Sequence, residues 1–202
     1  MFETIDVQNI ENSPISPKNL DKINEIVKYS TCTVSIGPNK GLGFLCNIPN
    51  QIGIKAMLIA STDILNEKFL KKNNDIVLSF DNINNNKNSE IIIIKLNIKR
   101  EILYLSDINI TLIELKPGKD RICKKYFIDL DGNTNNTDSD LCIIYYDSKI
   151  KSIAISFNLS SYINNKQKYK KKNSNCALIL SSRNSKIVGL GKDKTILYFF
   201  RV

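Results

Sequence analysis

Whatever chemistry this chain does, it does without imidazole: its 202 residues include no histidine. That excludes a Ser-His-Asp triad, a His-ligated metal and an imidazole proton shuttle, and with them most hydrolase mechanisms. Thiols, carboxylates, tyrosines and lysines remain. The five cysteines, Cys32, Cys46, Cys123, Cys142 and Cys176, are odd in number and nowhere spaced CxxC. This argues against a zinc site and a complete disulfide framework, and fits a reducing compartment. No metal and no cofactor is expected. Ala177 and Leu178 beside Cys176 suit a buried structural cysteine.

The chain carries a formal charge of +9. Its densest basic cluster is Lys166, Lys168, Lys170, Lys171 and Lys172 around Tyr169. Such a cluster could engage nucleic acid or an acidic protein. It also reads as a solvated loop or strand edge, and a composition rich in Asn, Ile and Lys is what an AT-rich genome encodes. Gly41 and Gly43 lack the GxGxxG continuation of a phosphate loop and sit inside a strand pattern, so strand packing accounts for them better.

The elements that must position these groups are mostly strands. Over Pro17–Lys28, Leu20, Ile23, Ile26 and Val27 recur at helical spacing and predict one short amphipathic helix. Short strand-like segments follow at 29–36, 41–48, 55–60, 75–80, 90–96, 101–105 and 110–115. A polar break over Asp129–Asp140 separates them from further strands at 141–146, 151–159, 176–181, 186–190 and 195–202. Many short strands with turn signals between them predict a sandwich or barrel, and two groups split by a polar connector predict two barrels. No sequence repeat is visible. No apolar run approaches the roughly 18 residues of a membrane helix, and Met1–Ser13 has no apolar core of a secretory signal, so a cytoplasmic location without membrane contact is expected.

Four segments, read in order, resemble the trypsin-like proteases of the chymotrypsin fold, in the form found in the cytosol of protists and fungi and in large viruses. Gly41-Leu42-Gly43-Phe44-Leu45 resembles their G-T/S-G-F-L strand. Leu58-Ile59-Ala60-Ser61-Thr62-Asp63-Ile64-Leu65 resembles the L-I-T-N-N-H-V-L segment that carries the catalytic His. Asn109-Ile110-Thr111-Leu112-Ile113-Glu114-Leu115-Lys116 resembles D-V-T-L-I-E-I-K, which carries the catalytic Asp. Cys176-Ala177-Leu178-Ile179-Leu180 with Lys186-Ile187-Val188-Gly189-Leu190 resembles the strands around the nucleophile. The resemblance implies an all-β double β-barrel of the trypsin type behind a short N-terminal helix: residues 1–28 as the N-terminal segment, 29–128 as the first barrel and 129–202 as the second.

The resemblance also implies that catalysis is lost. The His, Asp and nucleophile positions hold Asp63, Asn109 and Cys176. A carboxylate that titrates near 4 is a poor base for a thiol near 8.5, short by roughly 6 kcal/mol. An Asn supplies no charge to support an imidazolium. Active relatives turn backbone N–H groups into an oxyanion hole with Gly-x-Ser-Gly, whereas Ser174-Asn175-Cys176-Ala177 has no glycine. The expected protein is a pseudoprotease acting as an intracellular binding or scaffold module. Its expected partner is another protein or an assembly, with nucleic acid as an alternative, and its setting is the cytoplasm, the host cytoplasm or the virion if the source is viral.

Two alternatives stand beside this. One is a Cys-nucleophile protease working through Cys176. The other rests on similarity to the poxins, viral nucleases built on a degenerated protease of the same fold, whose chemistry uses a His together with a Tyr and a Lys spaced Y-x-x-x-K. Tyr145-Tyr146-Asp147-Ser148-Lys149 has that spacing, and an i, i+4 pair on a strand shares a face. This resemblance implies binding or cleavage of a cyclic dinucleotide to block host innate immunity, with Tyr145 and Lys149 as contact residues and the His missing.

Overall fold

The computed structural model describes residues 17–50, 53–80, 90–106, 109–123, 126–129, 141–147, 152–156, 177–181, 187–192 and 195–198. They are mostly antiparallel β-sheet with short helices, so the chain is all-β in character. Helix α1 (Pro17–Tyr29) forms where the apolar spacing predicts it and turns Ile23 and Val27 inward. It ends where the Ser30 N–H donates to the Ile26 carbonyl and the Thr31 hydroxyl donates to the Val27 carbonyl.

The first sheet contains β1 (Thr31–Ile36), β2 (Asn39–Asn50), β3 (Gly53–Ser61), β4 (Asp75–Phe80), β5 (Glu90–Lys95), β6 (Ile102–Leu105) and β7 (Ile110–Glu114). Its strand order is β5-β4-β1-β2-β3-β7-β6, and a two-residue strand β8 (Ile128–Asp129) adds in parallel to β2. The two end strands of that path, β5 and β6, are consecutive in the chain. The β1–β2 hairpin turns on two residues, with Gly37 at φ 55° before Pro38, the arrangement in which only glycine takes the positive angle without strain.

Two short helices escape the sequence reading. Helix α2 (Glu67–Lys72) is six residues long, too short to show a period, and is capped by Asn66, whose side chain accepts from the Phe69 N–H at 2.9 Å. Helix α3 (Pro117–Asp120) is a single turn that starts on proline.

The main core cluster draws on most strands of the first sheet. Cys32, Val34 and Ile36 of β1 meet Ile76, Leu78 and Phe80 of β4, Ile92 and Ile94 of β5, and Leu58 and Ile113. The central strands are also buried on their other face. Phe44 pairs with Ile59, which pairs with Leu112, and all three are buried. Strand β9 (Leu141–Asp147), with its fully buried Ile144, comes against β2. Burial on both faces explains why the segments GLGFLC and MLIA lack polar alternation. Gly41 and Gly43 lie within β2, and a Cβ at either would overlap a neighbour, Ile64 for Gly41 and Val34 for Gly43.

The second sheet has the order β10-β9-β11-β12-β13, with β10 (Ser152–Ser156), β11 (Ala177–Ser181), β12 (Ile187–Lys192) and β13 (Thr195–Tyr198). Over four strands its path matches part of the first. In one sheet the hairpin β1–β2 receives β4 and then β5 on the free side of β1. In the other, the hairpin β9–β10 receives β11 and then β12 on the free side of β9. Among the described residues, no helix is long and apolar enough to cross a membrane.

Candidate functional site

Strand β3 ends at Ser61, and the chain makes one tight turn there. The Ser61 carbonyl accepts from the N–H groups of Ile64 and Leu65, both at 3.0 Å. Ile64 and Leu65 are buried and anchor the turn, Ile64 above the bare backbone of Gly41. With those two fixed, Thr62 and Asp63 are held at the end of the sheet. Asn109 reaches the same place from the start of β7. Its backbone is left-handed, at φ 57°, a conformation that Asn tolerates better than most residues. The Thr62 N–H donates to the Asn109 carbonyl at 3.1 Å, which joins the turn to the β7 entry.

The side chains then converge. The Asn109 amide donates to the Asp63 carboxylate at 2.8 Å and to the Ser61 hydroxyl at 2.9 Å. The Ser61 Oγ also accepts from the Asp63 N–H at 3.2 Å. Just beneath, the Thr62 and Thr111 hydroxyls lie 3.1 Å apart, and the Thr111 hydroxyl donates to the Leu65 carbonyl at 2.9 Å. Ser61 and Thr111 are fully buried, whereas Asp63 is exposed. The cluster therefore presents one carboxylate to solvent, steered by a side-chain amide that neither gains nor loses a proton. Its hydrogen bonds fix the direction in which that carboxylate faces.

Neither a protein-family model nor a curated protein matches this chain.

The structure thus brings together Asp63 and Asn109, 46 residues apart in sequence. Ser61, the third member of the cluster, was not singled out in the sequence. Its signal is the Ser-Thr-Asp run at the end of an apolar strand, a pattern that makes local side-chain-to-backbone bonds. Tyr145 lies on β9, opposite Ala154 of β10. Cys176, Lys149, Lys166, Lys168, Lys170, Lys171 and Lys172 lie outside the described residues.

Two other polar features emerge only in three dimensions. Tyr29 and Tyr126 stack with ring centroids 5.5 Å apart, and the Lys28 ammonium sits 4.8 Å from the Tyr29 centroid. Burial, with Glu90 nearby, raises the Tyr126 phenol above its ordinary pKa. At the far end of β3 and β7 from Asp63 lies a groove of about 460 Å³, lined by Asn47, Lys55, Glu114, Leu115, Pro117 and Phe127. Lys55 there pairs with Glu101, whose carboxylate raises the ammonium pKa. The groove is separate from the Asp63–Asn109 cluster.

Proposed function

We propose that this protein is a trypsin-like protease homologue with vacated catalytic positions, a pseudoprotease that acts as an intracellular binding or scaffold module on a double-barrel frame. The observation that carries this reading is the contact between Asp63 and Asn109. The motif resemblance assigns them to the His and Asp positions of a triad, and residues in those roles have to meet across the end of a sheet. They do meet, at 2.8 Å. The four-strand path common to the two sheets suits a scaffold of two related halves. The first sheet's end strands follow each other in the chain, which suits a sheet that curls back on itself.

The reading has a chemical consequence. The site keeps the spacing of a catalytic pair but holds a carboxylate and an amide where a base and its orienting charge belong. The retained scaffold then serves recognition, and an acidic protein surface suits a chain of charge +9.

The test is a cleavage assay of the purified chain against a broad peptide mixture, run beside labelling with a thiol-reactive peptide warhead and a thermal-shift series with cyclic dinucleotides. No cleavage, no warhead labelling at Cys176 and no nucleotide-dependent shift are expected. Cleavage that disappears in Cys176→Ala would replace the reading with that of a cysteine protease. A stabilisation by cyclic dinucleotide that is weakened in Tyr145→Phe would replace it with nucleotide handling.

A further inference from the structure

The link between β5 and β6, residues 96–101, connects the two end strands of the first sheet. A single side chain gathers the segments around that link. Arg100 donates through Nη2 to the Lys95 carbonyl at the end of β5, at 2.8 Å, and through Nη1 to the Glu114 carbonyl at the end of β7, also at 2.8 Å. Both guanidinium ends also reach Asp120 of α3, at 3.0 and 2.9 Å. Asp120 in turn accepts from the Lys116 N–H at 2.7 Å, so the carboxylate is fixed by the first turn of its own helix. The next residue along, Glu101, exchanges backbone and side-chain bonds with Glu114. The side chains of Arg100 and Asp120 are 1% and 2% exposed.

We infer that the Arg100–Asp120 ion pair is a clasp that ties the ends of β5 and β7 to α3, and that the β5–β6 seam beside it is where this sheet opens as a unit. The other ion pairs at these strand ends, Lys95–Asp75 and Lys55–Glu101, are open to water. Strand β5 pairs with β4 and β6 pairs with β7, and neither has a second strand partner among the described residues. Their outer faces are bare as well, with Ile91, Ile93, Leu103 and Leu105 between 61% and 41% exposed. The central strands are covered on both faces and have partners on both sides. Local opening starts where buried contacts are fewest. At this seam the opposing force is concentrated in one desolvated, bidentate pair, and removing either partner leaves an uncompensated buried charge. The inference concerns the frame and stands independently of the pseudoprotease reading.

Native-state hydrogen exchange tests it. In the unmodified chain, amides of Ile92, Ile94, Leu103 and Leu105 should exchange through one shared opening, faster than those of Val34, Leu45 and Leu58. In Asp120→Asn, exchange at the seam should rise about tenfold or more, with a smaller change at the central amides. The apolar replacement Arg100→Met with Asp120→Leu should recover part of that protection. Seam amides that exchange with the slowest class in the unmodified chain would overturn the inference, and so would an equal acceleration at all sites in Asp120→Asn. If Asp120→Asn does not fold, the exchange pattern of the unmodified chain decides alone.

Discussion

Strand β7 has a polar cluster at each end, and the two are built in opposite ways. At its start, Asn109 steers the exposed Asp63 carboxylate, with Ser61 beneath. At its end, the Glu114 carbonyl accepts from Arg100, which is locked to Asp120 out of contact with water. The first cluster contains one charge, facing solvent. The second contains two opposite charges that face each other and backbone groups, away from solvent. Burial therefore separates a site that can meet another molecule from a site that can only hold the fold. An exposed charge costs little to keep and contributes little to stability, whereas a buried pair makes each partner indispensable to the other.

The largest effect should come from breaking that contrast directly. Arg100→Ala strands the Asp120 carboxylate inside the protein and should lower the unfolding free energy by about 3–5 kcal/mol. Asp63→Ala removes a carboxylate that water already solvates and should stay within about 0.5 kcal/mol of the unmodified chain. Urea unfolding of the two variants measures both. A loss at Asp63 as large as that at Arg100 would make the exposed cluster a structural element and remove the distinction.

The two glycines of β2 give a smaller effect that bears on how the exposed cluster is positioned. A Cβ at Gly43 runs into a methyl of Val34, whose branched side chain has few rotamers to escape into, and also lies 3.1 Å from Leu58. A Cβ at Gly41 runs into the far end of Ile64, which can swing. Gly43→Ala should cost about 1–3 kcal/mol and Gly41→Ala less, again by urea unfolding. The Gly41 variant should still perturb the amide resonances of Thr62 and Asp63, because Ile64 anchors their turn. The reverse order of costs would mean that β2 sits differently against its neighbours.

Those glycines show how far the sequence could be read. The strand segments around them were legible because β1, β4 and β5 have patterned inner faces and turn residues mark their ends. Asp75–Phe80 is a strand over the same residues that alternation predicts. The Asp63–Asn109 contact was legible only through a motif resemblance, since nothing local to either residue points to the other. The Arg100–Asp120 clasp was not legible at all. Arg100 follows Lys99 and Asp120 sits between Lys119 and Arg121, so each looks like an ordinary surface charge until the chain folds. The strand path shared by the two sheets left no trace in the sequence either, because it is a property of pairing order and many residue patterns satisfy it.

A third test asks what burial does to an ionisable group with no opposite charge to meet. Cys32 is fully buried, its thiol donates to the Gly43 carbonyl at 3.6 Å, and desolvation pushes its pKa far above the ordinary value of 9.0. The neutral thiol is thus favoured in the folded chain, while the unfolded chain ionises near the ordinary value. That difference is fully present below about pH 9 and is lost as pH rises, at up to about 1.4 kcal/mol per pH unit. Cys32→Ala should flatten the fall in stability between about pH 9 and pH 11, as the difference between two denaturation series. An unchanged slope would mean that the Cys32 thiolate is solvated in the folded state, contrary to its position in the core.

The smallest effect sharpens the exposed end of β7. Because the chain has no histidine, Asp63→His introduces a single imidazole whose proton resonances titrate without overlap. In that variant Asn109 offers it a neutral amide. Adding Asn109→Asp places a carboxylate beside it, which favours the protonated ring, and the imidazole pKa should rise by about one unit or more. The folded-state pKa would then lie above the unfolded one, so the pair should add stability below about pH 6.5 and lose it as pH rises through the raised value. The same Asn109→Asp change in the unmodified background brings two carboxylates together and should instead destabilise the turn at neutral pH. If the ring titrates identically with Asn and with Asp at position 109, the two positions do not face each other in solution as a base and its orienting charge must. The exposed cluster would then be an ordinary strand-end turn, and the two ends of β7 would differ only in burial.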